Sequence, residues 1–235
     1  MIDGKNNRRN DDTCQGFITS ANDRQQPASR QSLLPYTAML ARHGYGVLAV
    51  DLRGHGASGG KTNRFGWQGS RDVGAAVAFL QTRPEVQFIG GLGISMGGEV
   101  LLGAASQYPA MRAIVADGAT RRSTEELLAL PSERPLVRNF TARVMFAAVQ
   151  LFSGESPPQP LLDSMLAAPS TLFLFIAAGS NKMETAFNQL FANALGSRAS
   201  LWIAPETEHT GAFSRYPQEY ERRVIDFFDS VLLSR

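Results

Sequence analysis

The sequence predicts an α/β fold, with a mostly parallel central sheet and helices on both faces. Short apolar runs rich in β-branched and aromatic residues alternate with segments whose apolar residues recur at helical spacing. Such alternation indicates βαβ crossovers, which make neighbouring strands parallel and cover the sheet on two sides. A glycine-rich turn, GLGISMGG, also joins one buried strand directly to a helix. The length of 235 residues suits a single domain of this class.

The predicted elements follow one another along the chain. Residues 1–15 are polar and aperiodic, which predicts disorder, and residues 21–30 have the composition of a loop. Strands are predicted at 16–20, 45–51, 86–94, 112–117, 171–179 and 199–204. Helices are predicted at 31–44, 70–83, 97–108, 183–196 and 216–233, and a glycine-rich loop at 52–69.

Residues 119–170 interrupt the alternation of strands and helices. The simplest interpretation is a helical cap over the carboxyl edge of the sheet, within a single domain that covers residues 16–235; the alternative is a surface loop packed elsewhere. One apolar stripe in this insertion either lines an acyl pocket or packs against the body of the domain. It consists of Phe140, Val144, Ala148 and Leu151.

Composition excludes several classes of protein. A net charge of +2 is too small to indicate a nucleic-acid partner. The single cysteine, Cys14, allows no intrachain disulfide, and the polar N-terminus lacks the apolar core of a signal peptide, so we expect a cytoplasmic location. No apolar run approaches the roughly 20 residues of a membrane span.

The turn between the strand at 86–94 and the following helix contains the candidate nucleophile, Ser95. The segment from Gly93 to Gly97 fits the pattern G-x-S-x-G, which alone is a weak signal. Here it stands between a strand and a helix, where glycines relieve the crowding of a sharp turn and the hydroxyl is exposed at the carboxyl edge. This context predicts a nucleophile elbow.

A serine nucleophile needs a base and a carboxylate that orients the base. The chain has three histidines, and only His209 follows the last predicted strand, at the carboxyl edge and after the serine in the chain. His43 lies at a helix end, and His55 lies in the glycine-rich loop. His209 is therefore the predicted base.

The acid is less narrowly defined by the sequence. Glu184 is the only acid in the segment GSNKMETAF after the strand at 171–179, although a place in the first turn of a helix also suits an acid for electrostatic reasons. Asp117, at the end of the preceding strand, is the alternative. Glu206 and Glu208 lie in the loop of the histidine itself, where neighbouring side chains of an extended segment point apart.

Together these segments resemble the α/β-hydrolase superfamily, in particular bacterial serine hydrolases related to the bile-acid acyltransferase and dienelactone hydrolase groups. The resemblance spans most of residues 29–235 and is carried by GYGVLAVDLRGHGASGG, GLGISMGGEVLLGAA, TLFLFIAAGSNKMETAFNQLF, APETEHTGAF and EYERRVIDFFD. It implies that Ser95 is the nucleophile, His209 the base and Glu184 the acid. It also implies a structural role, bracing the loop after the second strand, for Asp51, Arg53 and His55.

The N-terminal part departs from this family. Members usually carry a His-Gly motif after the strand that precedes residue 31, and a backbone N–H there completes the oxyanion hole; this chain has FITSANDRQQPASRQS instead. The N–H of Met96 is expected to serve as one donor. Ser20 and Ala21 are the candidates for the second, whose loss would slow turnover by about 10²–10³.

The sequence thus predicts a serine hydrolase that cleaves a small carboxylic ester, or less readily a thioester or amide, through an acyl-enzyme. No metal or organic cofactor is expected, because the chain has no H-E-x-x-H motif, no metal-spaced Cys/His cluster and no P-loop. The alternative is a hydrolase-like binding protein with poor catalysis, which the missing His-Gly motif suggests.

Overall fold

A computed structural model describes residues 16–22, 30–60, 66–130 and 135–233. The segment 1–15, predicted to be disordered, lies outside the described residues. The central sheet has six strands in the order β2-β1-β3-β4-β5-β6, and each of its pairings is parallel. The strands are β1 (Gly16–Asn22), β2 (Gly46–Ala49), β3 (Ile89–Ser95), β4 (Met111–Asp117), β5 (Leu172–Ala178) and β6 (Ala199–Ala204). This sheet confirms the predicted α/β class.

Helices cover the sheet on both faces. They are α1 (Leu34–Arg42), α2 (Gly69–Gln81), α3 (Met96–Ala104), α4 (Thr124–Ala129), α5 (Pro135–Ser153), α6 (Leu161–Leu166), α7 (Lys182–Leu195), α8 (Ala212–Arg215) and α9 (Pro217–Leu232). The segment predicted as one helix over 31–44 is a 3-10 turn, Arg30–Leu33, followed by α1. Pro35 fits the first turn of α1, and Gly44, with φ of +82°, follows its end.

Alternate residues of the strands pack into two separate cores. In β4, Ile114 and Ala116 contribute to the core that also contains residues of α2, α3, α6 and α7. Ala113 and Val115 contribute to the core formed with α1, α8 and α9. Side chains of a strand alternate between its two faces, so one apolar strand serves both layers. This explains why β4 is apolar at each position from Ala113 to Ala116 rather than alternating with polar residues.

The insertion between β4 and β5 is helical, as α4, α5 and α6 show. Its last helix, α6, buries Leu161 and Met165 in the core beside α3 and α7, so this part of the insertion belongs to the body of the domain. Helix α5 instead packs on Trp67 through Phe146. The rings of these two residues are stacked, with their centroids 6.2 Å apart.

The apolar stripe predicted on α5 does not pack against the body. Phe140, Val144 and Leu151 are 71%, 52% and 79% exposed, whereas Ala142, Phe146 and Val149 form the buried side of the helix. Both sides of α5 are apolar, and periodicity alone does not distinguish the side that packs.

Candidate active site

Ser95 occupies the sharp turn between β3 and α3. Its φ of 54° and ψ of −123° lie in a region that costs a residue other than glycine about 1–3 kcal/mol. The glycines of the motif make the turn possible: a Cβ on Gly93 would stand 2.5 Å from the carbonyl of Gly97. The local sequence therefore holds the serine at the carboxyl end of β3, at the start of a helix.

The structure brings Ser95, His209 and Glu184 together in one hydrogen-bonded chain. Ser95 Oγ lies 2.8 Å from His209 Nε2, and His209 Nδ1 lies 2.6 Å from Glu184 Oε2. A carboxylate only accepts hydrogen bonds, so Nδ1 of the neutral ring carries the proton and Nε2 is left to accept the proton of the serine. This is the geometry that nucleophilic catalysis by serine requires.

Glu184 is fixed at the start of α7. The Asn181 side chain caps this helix by accepting the Glu184 N–H at 3.1 Å, and the Glu184 carboxylate turns back to accept the N–H of Ala178 at 2.6 Å. The side chain of Glu184 is completely buried, whereas that of His209 is 46% exposed. The hydrogen bond to Glu184 raises the pKa of His209 and outweighs the opposing effect of partial burial.

The loop that carries His209 follows β6 and is tied to its neighbours by backbone contacts. The N–H of Ser180 donates to the carbonyl of Thr207 at 3.0 Å, and the next residue after the histidine, Thr210, has a φ of 58°. The imidazole rests against Gly118, where a Cβ would stand 2.9 Å from its Cε1. Gly118, with φ of +74°, thus provides the space that the ring occupies.

Asp117, the alternative acid, lies at the end of β4 and is buried. Burial, and then the negative charge of Glu184, raise its pKa to about 7. The carboxylate bonded to the His209 ring is that of Glu184, and one oxygen of Asp117 has no hydrogen-bond partner among the residues that the structure describes. The structure therefore places Asp117 beside the chain of three residues rather than within it.

Glu99, in the first turn of α3, makes contacts that the sequence did not reveal. Its Oε1 accepts the N–H of Thr120 at 3.0 Å, the hydroxyl of Thr120 at 2.9 Å and the N–H of Arg121 at 3.1 Å. Burial raises its pKa. Glu99 thus holds the segment after β4 against α3, the helix that begins next to Ser95. The one signal for this role in the sequence was the presence of an acid in an otherwise apolar helix.

The other histidines and acids lie in separate networks. His43 Nε2 is 2.7 Å from a carboxylate oxygen of Glu221 on α9, and Glu206 pairs with Arg215 at 3.0 Å. The loop after β2 is bonded both within itself and to α2. Arg53 pairs with Asp72 of α2, Asp51 accepts the N–H of Ala57, and His55 Nδ1 lies 3.0 Å from the carbonyl oxygen of Arg53.

The two candidates for the second oxyanion donor, Ser20 and Ala21, lie near the end of β1. In the pairing of β1 with β3, Ser20 stands beside Gly93, Ala21 beside Ile94 and Asn22 beside Ser95. Met96, the predicted first donor, is the first residue of α3. Residues 23–29 lie outside the described residues.

Two further observations concern only the residues that the structure describes. None of their His, Cys, Asp and Glu side chains form a group of three or more that could hold a metal ion. None of their helices is both long and apolar enough to cross a membrane.

The parallel sheet and the serine at the β3–α3 turn define an α/β hydrolase. Residues 31–164 match the sequence profile of the family described as serine aminopeptidase, S33, and the chain belongs to this family of hydrolases. The matched segment includes Ser95 but ends before Glu184 and His209. No curated protein matches the chain in sequence.

Solved structures share the fold at low sequence identity. An esterase of Pyrococcus furiosus is 23% identical, with 94% of this chain and 83% of that chain covered, at a TM-score of 0.69. An α/β hydrolase of Penicillium sp. sh18 is 18% identical, with 94% and 91% covered, at a TM-score of 0.67. Est1E of Butyrivibrio proteoclasticus, solved with ferulic acid bound, is 16% identical, with 97% and 93% covered, at a TM-score of 0.64.

Proposed function

We propose that the chain is a serine hydrolase that cleaves small carboxylic esters through an acyl-enzyme on Ser95. One observation carries the proposal: the unbroken chain from Ser95 Oγ through the His209 ring to the buried Glu184 carboxylate. Such a chain lets a weak nucleophile lose its proton as it attacks.

In the first half of the reaction, Ser95 Oγ attacks the ester carbonyl carbon while His209 Nε2 takes the hydroxyl proton. Glu184 stabilises the imidazolium that forms, and the Met96 N–H donates to the oxyanion. The C–O bond to the alcohol then breaks as His209 returns the proton to the departing oxygen, which leaves the acyl group on Ser95. Water repeats the sequence in the second half and releases the acid.

Esters are favoured over peptides as substrates for two reasons. The description of the family names a peptidase, but the solved structures of the same fold include an esterase of Pyrococcus furiosus. Sequence segments also resemble the bile-acid acyltransferase and dienelactone hydrolase-related group, whose acyltransferases usually use cysteine. A serine in this place supports water as the acceptor.

A fluorophosphonate probe followed by a panel of substrates tests the proposal. We expect the parent chain to be labelled and to release nitrophenol from p-nitrophenyl esters, graded in acyl-chain length, faster than it releases nitroaniline from aminoacyl anilides. Ser95→Ala should abolish labelling and hydrolysis. Ser230→Ala, which removes a hydroxyl on the last turn of α9, is the matched control and should change neither.

A second candidate function is ligand binding with poor catalysis, favoured by the absence of a His-Gly motif from the segment before residue 31. Without a second oxyanion donor, attack would be slow even with the three residues in place. Failure of the phosphonate to label Ser95 would support this candidate. Faster hydrolysis of anilides than of esters would instead support a peptidase.

A further inference from the structure

The ring of the candidate base rests on the segment that joins β4 to α4. A Cβ placed on Gly118 would stand 2.9 Å from Cε1 of His209 and 3.1 Å from its Nδ1, so the imidazole fills the space that a side chain would take. Nδ1 is also the atom bonded to Glu184 at 2.6 Å. The position of the ring between Ser95 and Glu184 therefore depends on where residues 118–121 lie.

Helix α3, the helix of the nucleophile, fixes this segment through Glu99. Glu99 is buried, and its Oε1 accepts the N–H of Thr120 at 3.0 Å, the hydroxyl of Thr120 at 2.9 Å and the N–H of Arg121 at 3.1 Å. Gly98, the residue before it, lets the segment come close, since a Cβ there would stand 3.2 Å from the Cβ of Ala119. Packing of this density leaves the segment little room to move relative to α3.

Helix α7, the helix of the acid, fixes the same segment through Asn188. This side chain is completely buried, and its Nδ2 donates to the carbonyl of Ala119 at 2.9 Å and to the carbonyl of Glu184 at 2.8 Å. One amide group thus joins the backbone of the acid to the segment beside the base. Residues 118–121 are in neither a strand nor a helix, so these side chains pair backbone groups that a ladder or a helix would otherwise pair.

We propose that Glu99 and Asn188 are positioning residues for His209 and act through the segment 118–121. The helix of the nucleophile and the helix of the acid each send one buried polar side chain to this segment, and the base packs on the same segment. The segment thereby keeps the ring in register with both of its partners. A displacement of about 1 Å in such a site can cost roughly 10²-fold in rate. The inference rests on the proposed function, because it concerns the base of that site.

A second buried carboxylate provides a matched comparison. Glu126 accepts the N–H groups of Arg122 at 2.8 Å, of Ser123 at 2.9 Å and of Leu161 at 2.6 Å, and it thereby ties the start of α4 to α6. Glu126 is 6% exposed and Glu99 is 8% exposed, and both accept backbone N–H groups. The two acids differ in what the held residues touch, because only the segment held by Glu99 includes the contact with the imidazole.

The ring signals of the histidines test the proposal without any need for turnover. The chain contains three histidines, so protein made with isotopically labelled histidine gives three Cε1–H signals in an NMR spectrum, and His209→Ala identifies one of them. We expect Glu99→Ala and Asn188→Ala to shift the His209 signal, because Cε1 is the ring atom that lies against the segment. The signals of His43 and His55 should stay in place and serve as internal controls.

Activity provides a second measurement. With an ester that the parent hydrolyses, Glu99→Ala and Asn188→Ala should lower kcat by roughly 10- to 100-fold and change KM little. Glu99→Gln should restore the parental ring signal and most of kcat, because an amide oxygen can take the place of Oε1 as acceptor. Glu126→Ala should lower the midpoint of urea unfolding as Glu99→Ala does, yet leave the His209 signal and kcat near those of the parent.

Two results would overturn the proposal. In the first, Glu99→Ala and Asn188→Ala leave both the His209 signal and kcat at the parental values. In the second, Glu126→Ala shifts that signal as far as Glu99→Ala does, so that the effect comes from a general loosening of the insertion. If Glu99→Ala does not fold, Asn188→Ala and Thr120→Val make the same test from the other helix and from the segment itself. A parent chain that hydrolyses no ester would contradict the proposed function, and the His209 signal would still test the positioning.

Discussion

At the scale of single residues, the site depends on one histidine held between a serine and a buried carboxylate. Glu184 is fully buried and bonded to the His209 ring at 2.6 Å, so this carboxylate both orients the ring and raises its pKa. The exposed edge of the ring, by contrast, faces Ser95 and solvent. The two ring nitrogens of His209 thus lie in different environments: Nδ1 is bonded to a buried carboxylate, and Nε2 lies beside the exposed serine. Substitution of His209 and substitution of its carboxylate partner should therefore affect activity in different ways.

We predict that His209→Ala reduces ester hydrolysis by roughly a thousandfold or more, because Ser95 loses its base. The side chain is 46% exposed and lies in a loop, so the variant should unfold at nearly the temperature of the parent. Steady-state kinetics and a thermal melt check both parts. His43→Ala, on the α1–α9 contact, is the control and should keep its activity. A folded His209→Ala variant with activity near that of the parent would show that another group is the base.

We predict that Glu184→Gln lowers kcat/KM by about 10³-fold or more, since a neutral amide cannot stabilise the imidazolium. Asp117→Asn should cost less than about tenfold, because Asp117 stands outside the hydrogen-bonded chain. The opposite ranking would make Asp117 the acid and leave Glu184 a residue of the helix start.

The pH dependence provides an independent check on Glu184. Hydrolysis needs neutral His209, so the rate should fall as pH drops through the pKa of this group in the free enzyme. Glu184 raises that pKa, and Glu184→Gln should therefore move the acid limb of the kcat/KM profile to lower pH. An acid limb that stays in place, or moves to higher pH, would mean that the pKa of His209 is not set by Glu184.

At the scale of elements, the β3–α3 turn is the most demanding piece of backbone. A methyl group at Gly93 would meet the backbone of Gly97 and Gly98 at 2.5 Å, and backbone cannot move aside as a flexible side chain can. We predict that Gly93→Ala destabilises the fold by about 1–3 kcal/mol and abolishes labelling of Ser95 by a phosphonate. Gly59→Ala, where a Cβ meets nothing within 4 Å, is the matched control. Urea unfolding curves compare the two, and equal midpoints would contradict the steric argument.

The elements also show how far the sequence alone leads. The strands could be predicted because apolar runs are local signals. The candidate site residues on β3, on α7 and in the loop after β6 could be predicted from the local glycine pattern and from the chain order of serine, acid and histidine. The sequence favoured Glu184 but left Asp117 as an alternative, since both lie where a strand ends at the same edge of the sheet. The hydrogen bond between Glu184 and the His209 ring distinguishes the two. It also did not show which apolar side of α5 packs, or that Glu99 holds the segment after β4, because both depend on contacts between distant parts of the chain.

At the scale of the whole molecule, the sheet assembles the site from the ends of separate strands. Ser95 ends β3, Glu184 follows β5 and His209 follows β6, so residues more than a hundred positions apart meet at one edge. Strand β1 completes this edge on the other side of β3, with Asn22 beside Ser95. The candidates for the second oxyanion donor, Ser20 and Ala21, lie in this strand two residues and one residue before the level of Ser95.

We predict that Ser95 of the unmodified chain reacts with a covalent probe, although the chain hydrolyses unactivated esters slowly. A reactive phosphonate should label Ser95, because the base and the acid are in place, while unactivated esters should turn over slowly if the segment after β1 supplies no second N–H. A loop containing His-Gly, grafted in place of residues 23–28 so that the pairing of β1 with β3 is kept, should raise kcat for such esters by roughly tenfold or more. A graft of equal length made of glycine and serine is the control. Rapid hydrolysis of ordinary esters by the unmodified chain would contradict the prediction and would mean that a backbone N–H within residues 19–26 already serves as the second donor.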